Sequence, residues 1–216
     1  MNTIKYVLFD WDGCLARTLD LWMDSYKKIF EEYGLAPSEQ EIVTKMFGDW
    51  EGSKKFGIPD SKTYSMKVVK EVEENYQNVE LYPQAEETIR QLQKMGLRMG
   101  LVTSSLKTTV KKSSQSQRIL RLFDVFLGRE DVKEDKPNPE MFNKALGKIG
   151  GVKSQSAIVG DSWKDVQAGK NAGIKTVLFY PPENHRFYKR KDLEDENPDY
   201  FITTFKKLPN IIRKMN

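Results

Sequence analysis

The chain is predicted to be an α/β protein: a parallel β-sheet flanked by helices, with an all-helical insert after the first strand. Three observations predict it. Short apolar runs rich in β-formers recur with amphipathic helical segments between them, the pattern of strands buried on both faces of a parallel sheet. Between Leu15 and Tyr82 this alternation stops, and helix follows helix with no convincing strand. The 216 residues suffice for one well-buried core carrying a smaller insert and are too few for two full domains of average size.

The elements follow in order. Lys5 to Phe9 is a short apolar run stopped by acidic and glycine residues, the mark of a buried first strand. Inside the insert, Ser38-x-x-Glu41 just after Pro37 is a capping-box signature. Ala85 to Met95 is a helix closed by Gly96, which hands the chain to the strand Arg98 to Val102. A short strand at Val125 to Leu127 precedes a helix starting near Glu140, and Ala157 to Val159 is the next apolar strand. Lys164 to Ala172 is a helix closed by Gly173, ahead of the strand Thr176 to Phe179; both glycines suit a left-handed C-cap. Pro181 to Pro198, rich in charge and proline, is expected to be a surface excursion before a last short strand, Tyr200 to Ile202, and a helix. Residues 1–14 and 83–216 then form the core and 15–82 the helical insert.

Composition narrows the function classes. Hydrophobic residues are 38% and charged residues 31% of the chain, a water-soluble balance. No stretch approaches the roughly twenty apolar residues that cross a bilayer, so no membrane partner is expected. Apolar residues begin almost at once, leaving no room for a cleavable leader, and Cys14 is the sole cysteine; both favour the cytoplasm. The net charge of +4 is spread among interspersed acids and bases, which argues against nucleic acid and suits a phosphate ligand. Nothing in the sequence speaks to oligomeric state.

Four short motifs carry chemistry. Asp10-Trp11-Asp12-Gly13 ends the first strand, and residues two apart in extended backbone project to one face, so both carboxylates can enter one cleft. Such a DxDG arises by chance in roughly one chain in twenty of this length, and an acidic turn is its plain alternative. Leu101-Val102-Thr103-Ser104 places a hydroxyl and backbone amides at another strand end, groups that bind phosphoryl oxygens without adding charge. Lys136, between Asp135 and Pro137-Asn138-Pro139, is stiffened by its prolines, although a lone lysine is usually a solvated surface group. Gly160-Asp161-Ser162-Trp163-Lys164-Asp165 sets two carboxylates one helical turn apart, facing one point; a helix cap would also account for Asp161. Each signal is weak alone, and their succession on one side of the expected sheet is what carries weight.

With these motifs, the sequence resembles the haloacid dehalogenase superfamily, in its phosphoglycolate phosphatase and beta-phosphoglucomutase-like branch. The resemblance extends over Leu81-Tyr82-Pro83, Gly96 to Ser104, Lys136 to Ala145 and Ala157 to Thr176. It implies a three-layer Rossmann-like core with a small mobile α-helical cap hinged near Leu15 and Tyr82. It implies that Asp10 attacks phosphorus, and that Asp12 protonates the leaving oxygen and later activates water. Mg²⁺ would be held by Asp10, the carbonyl of Asp12 and Asp161, with Asp165 beside or on the metal. Lys136, Thr103 and the amide of Ser104 would complete the clamp on the phosphoryl group of a small phosphorylated metabolite. An all-oxygen donor set without a cysteine or histidine cluster favours Mg²⁺ over zinc.

Two positions depart from the family pattern: Cys14, a small change, and Arg17, a cation where an acid is common. Arg17 is therefore a candidate contact for an anionic part of the substrate. In the cap, Phe47-Gly48-Asp49-Trp50 falls where the family places its specificity loop, making Asp49, Trp50 and Lys54 candidate substrate contacts; cap core is the plainer account of Trp50. His185 lies among basic residues of the excursion and is expected to be solvated. Two other functions are compatible with the family. A beta-phosphoglucomutase-like phosphotransferase would carry a histidine where this chain has Trp22, and a non-catalytic scaffold would have lost the motif residues that survive here.

Overall fold

Val7 and Phe9 belong to one hydrophobic cluster and Leu8 to another, so the first strand is buried on both faces. The computed structural model describes residues 3–215; positions 1, 2 and 216 of the predicted core lie outside the described residues. Six strands form one parallel sheet: β1 (Tyr6–Phe9), β2 (Arg98–Val102), β3 (Val125–Leu127), β4 (Ser156–Gly160), β5 (Lys175–Phe179) and β6 (Tyr200–Ile202). Their spatial order is β3-β2-β1-β4-β5-β6. Every predicted strand is present, displaced by at most one residue at an end.

Ten α-helices accompany the sheet among the described residues. In the insert they are α1 (Leu19–Glu32), α2 (Glu39–Lys45) and α3 (Ser61–Asn75); in the core they are α4 (Ala85–Lys94), α5 (Lys107–Val110), α6 (Ser114–Leu120), α7 (Glu140–Lys148), α8 (Trp163–Ala172), α9 (Arg190–Asp195) and α10 (Leu208–Lys214). The Val7 and Phe9 side of the sheet packs against Ile89 and Leu92 of α4 and Leu208 and Ile212 of α10. The Leu8 side packs against Phe142 and Ala145 of α7 and Ala168 and Ala172 of α8, completing three layers. The Ser38 to Glu41 capping box is formed, and Gly173 closes α8 in the left-handed region at φ +73°.

The insert leaves and rejoins the core through two adjacent extended segments. Ala16 bridges antiparallel to Leu81, Arg17 N–H donates to Glu80 O, and Tyr82 N–H donates to Leu15 O, each bond 2.9 Å. The excursion is not the solvated loop the sequence suggests. Its charged residues do face water, but Asn184, Phe187 and Leu193 turn inward and are buried, anchoring it to core and cap. No helix among the described residues is long and apolar enough to cross a membrane.

Candidate active site

The sheet changes direction at its centre. From β1 the chain proceeds outward to β2 and β3 on one side, then returns to β4 and runs out through β5 and β6, so a crevice opens at the carboxyl ends of β1 and β4. Asp10 follows β1, with its N–H bonded to Val159 O at 2.9 Å; Thr103 follows β2, with its N–H bonded to Leu127 O at 3.1 Å; Asp161 follows β4. Two glycines let the acids converge. A Cβ on Gly13, at φ +72°, would lie 2.2 Å from Asp161 Oδ2, and one on Gly160 would lie 2.3 Å from Asp165 Cγ.

Asp10, Asp161 and Asp165 each bring a carboxylate oxygen to within 4.8 Å of the others, and all three are at most 5% exposed. The one ammonium among them is Lys136, whose Nζ donates to Asp10 Oδ1 and Asp165 Oδ1, both at 2.7 Å. Burial alone would lower the Lys136 pKa; the carboxylates of Asp10 and Asp165 outweigh it and raise it. Asp10 is raised from 3.8 to about 7, chiefly by burial, with Lys136 opposing the rise and Asp165 adding to it. Asp161 is raised well above the usual carboxylate range, first by burial and then by Asp10 and Asp165. Fully ionised, the three buried acids would outnumber the single ammonium and leave negative charge uncompensated. That arrangement, with only oxygen donors, fits a hard divalent cation such as Mg²⁺.

Asp12 faces the same crevice and accepts four hydrogen bonds. Thr18 Oγ1 and Trp22 Nε1 donate to Oδ1 at 2.8 and 2.9 Å, while Ser105 Oγ and Thr103 Oγ1 donate to Oδ2 at 2.7 and 3.2 Å. The first pair belongs to the neck and α1 of the insert, and the second to the loop after β2. Asp12 is thus held jointly by cap and core. Trp22, at the position where the resemblance places the mutase histidine, is itself a partner of the second aspartate.

Between cap and core lies a cavity of about 450 Å³, lined by Asp10, Asp12, Thr103, Ser104, Lys136 and Asp161 at one end and reaching Asp49 and Trp50. Trp50 spans the gap, its Nε1 donating to Ser104 O at 3.0 Å. Ser104 Oγ is buried without a hydrogen-bond partner among the described residues. Asp49 lines the cavity but is paired with Lys55 at 2.7 Å. Two predicted contacts lie elsewhere. Arg17 is outside the cavity lining, on the surface with Glu80 at 3.6 Å, because extended pairing of the neck turns it outward. Lys54 is also outside the lining, paired with its helical neighbour Glu51 on an exposed face. His185 is exposed, as expected, with its ring stacked on Tyr180 at 4.5 Å.

Four residues near the site were not singled out by sequence as members of it. Thr18 and Ser105 are the hydroxyl partners of Asp12, and the Ser104-Ser105 pair after Thr103 was the available signal. Lys164, inside the fourth motif, donates from Nζ to Phe47 O and Gly48 O at 2.8 and 2.9 Å, joining α8 to the cap. Asn184 enters from the excursion: its Nδ2 donates to Gly13 O at 2.9 Å and lies 3.4 Å from Asp161 Oδ2, while Tyr82 donates its hydroxyl to Asn184 Oδ1. No sequence pattern marks Asn184, since its partners Gly13 and Tyr82 are more than a hundred residues away in the chain and Asp161 is 23 away.

Known proteins resemble this chain in sequence and in fold. A family model described as haloacid dehalogenase-like hydrolase matches residues 7–179. The pyrophosphatase PpaX of Bacillus cereus (strain G9842) is 31% identical over 217 residues, covering 99% of this chain and 98% of its own. A hydrolase from Pseudomonas syringae superposes with a TM-score of 0.84 at 21% identity, covering 98% of each chain. CbbY from Rhodobacter sphaeroides, solved in complex with phosphate, superposes with a TM-score of 0.79 at 19% identity, covering 95% of this chain and 96% of its own. The matched span runs from β1 to β5 and so contains every acid of the buried cluster together with Lys136, which makes this chain a member of the haloacid dehalogenase-like hydrolase family.

Proposed function

We propose that the protein is an Mg²⁺-dependent phosphatase that hydrolyses a small phosphate monoester through a phosphorylated Asp10. The observation that carries this reading is the buried Asp10, ion-paired with Lys136 and clustered with Asp161 and Asp165 at the sheet's switch point, with Asp12 two residues away. Bound Mg²⁺ would offset the repulsion between the carboxylate and the phosphate dianion, held by the carboxylates of Asp10 and Asp161 and the carbonyl of Asp12. Asp165, whose oxygens accept from Lys136 and Ser162, would act beside them.

In the first step an Asp10 oxygen bonds to phosphorus as the bond to the leaving oxygen breaks, and Asp12 gives that oxygen its proton. In the second, Asp12 takes a proton from water as the water oxygen bonds to phosphorus and the Asp10 ester breaks. The products are an alcohol and inorganic phosphate. Asp12 Oδ2 lies against two hydroxyls, which can donate or accept, so its surroundings accommodate either protonation state there. The buried, unpartnered Ser104 hydroxyl and Thr103 suit phosphoryl oxygens. The bipartite division supports a cap of residues 15–82 that opens at its neck and closes over the substrate. Trp22 in place of a histidine supports hydrolysis over phosphoryl transfer between sugar positions.

The test is a hydrolysis screen over phosphorylated metabolites with and without Mg²⁺, run beside Asp10→Asn. Metal-dependent phosphate release that Asp10→Asn abolishes is expected. Turnover by Asp10→Asn at the parental rate would rule the mechanism out, and release of glucose 6-phosphate from the 1-phosphate would favour a mutase.

A further inference from the structure

The two sides of the cavity differ in charge. Its three lysines, Lys136, Lys164 and Lys189, all come from the core, and the helical insert contributes no cation. The only charged lining residue of the insert is the anion Asp49, already bound by Lys55. Otherwise the insert presents mainly aromatic and aliphatic side chains, among them Trp22, Tyr26, Val43, Phe47, Trp50 and Val69, with the uncharged polar Gln40, Thr44 and Ser65 between them. The core lysines are largely committed: Lys136 to Asp10 and Asp165, Lys164 to the carbonyls of Phe47 and Gly48. Lys189 is exposed, in the segment after β5.

We propose that the substrate is a phosphomonoester of an uncharged alcohol with an aromatic or branched hydrocarbon body, and that inorganic pyrophosphate and phosphorylated carboxylic acids are poor substrates. The inference rests on the phosphatase reading above and adds the leaving group to it. The phosphoryl group belongs at the polar end, where Asp10, Lys136, Thr103 and Ser104 lie. The remainder of the substrate then meets the insert, because the cavity continues there. A second phosphate or a carboxylate on that remainder would lose hydration against aromatic and aliphatic walls with no cap cation to replace it. A hydrocarbon body instead gains by removing its own surface, and that of the walls, from water. The volume of about 450 Å³ falls within the range of ligand pockets and exceeds what a lone second phosphate needs.

The experiment compares kcat/KM, with Mg²⁺ present, for 2-phenylethyl phosphate, glycerol 1-phosphate, 2-phosphoglycolate and inorganic pyrophosphate. The first two esters share a primary alkoxide leaving group and differ in the body it carries. At least about a tenfold preference for the phenylethyl ester over the other three is expected, equivalent to about 1.4 kcal/mol. A preference that is absent or reversed overturns the proposal. Val43→Lys, at a half-buried lining position, should narrow the ratio through KM; a folded variant that keeps the parental ratio counts against it.

A second measurement needs no turnover. Asp10→Asn is titrated with 2-phenylethylphosphonate and with phosphonoacetate, following the intrinsic tryptophan fluorescence, to which Trp22, Trp50 and Trp163 of the cavity lining contribute. Tighter binding of the phenylethyl compound supports the proposal, and equal or weaker binding overturns it. Absence of hydrolysis by the parent together with phenylethyl-selective binding removes the phosphatase reading alone. Hydrolysis without that selectivity removes this inference alone.

Discussion

Asn184 shows how much one buried amide can hold. It donates to Gly13 O and accepts from the Tyr82 hydroxyl, so it fixes the turn after Asp12 and the end of the neck together. Asn184→Ala leaves both groups buried without a partner and should cost about 1–3 kcal/mol for each, seen as a lower urea midpoint with an unchanged slope. Lys136→Met should be costlier. Removing the ammonium leaves the Asp10 and Asp165 carboxylates facing one another in a buried site, a loss of about 3–5 kcal/mol in metal-free protein at neutral pH. The sign with pH follows from the charge. Acid protonates the carboxylates, so the stability gap between Lys136→Met and the parent should narrow as pH falls, measured by urea unfolding in parallel series.

At the scale of elements, the turn after β1 and the start of α8 approach so closely that side chains are excluded. Gly13→Ala would bring a Cβ against Asp161 at a backbone φ of +72°, so both strain and collision oppose it. The variant should lose activity by more than tenfold, with weakened Mg²⁺ binding measured by calorimetry. Trp50→Phe keeps an aromatic ring and deletes one N–H between cap and core; it should raise KM several-fold while shifting the thermal midpoint little. What was legible in the sequence follows from range. The strands and the C-caps at Gly96 and Gly173 are written in local periodicity and single residues, and the acids of the first and fourth motifs meet because parallel strands carry their ends to one edge. The inward turn of the excursion was not legible, since a charged, proline-rich stretch reveals its composition but not that Asn184 and Phe187 find partners across the fold. Arg17 and Lys54 lie outside the cavity lining for a related reason: proximity to a motif along the chain does not determine which way a side chain leaves the backbone.

For the whole molecule, the acidic cluster ties stability to pH, and a metal bound by it would modulate that tie. Because Asp10 is raised from 3.8 to about 7, the folded state without metal holds a proton the unfolded chain has released. Its contribution is fully present below the ordinary value of 3.8 and is lost as pH rises through about 7, on the order of a few kcal/mol; Asp161 shifts in the same direction. A divalent cation held there would bind the ionised carboxylates, so Mg²⁺ should raise the thermal midpoint more at about pH 8 than at about pH 5. Scanning fluorimetry with Mg²⁺ and with chelator across that interval measures it, and a Mg²⁺ effect independent of pH would contradict it. The antiparallel bridge between Ala16 and Leu81 has a consequence of another kind. The covalent path into the insert and the path out of it run side by side, and no strand of the sheet is interrupted to accommodate it. Beyond Thr18 and Trp22, which hold Asp12, the residues between those two positions can therefore change in length or lining while the acids below keep their register, so the lining can drift through one doorway without moving the buried cluster.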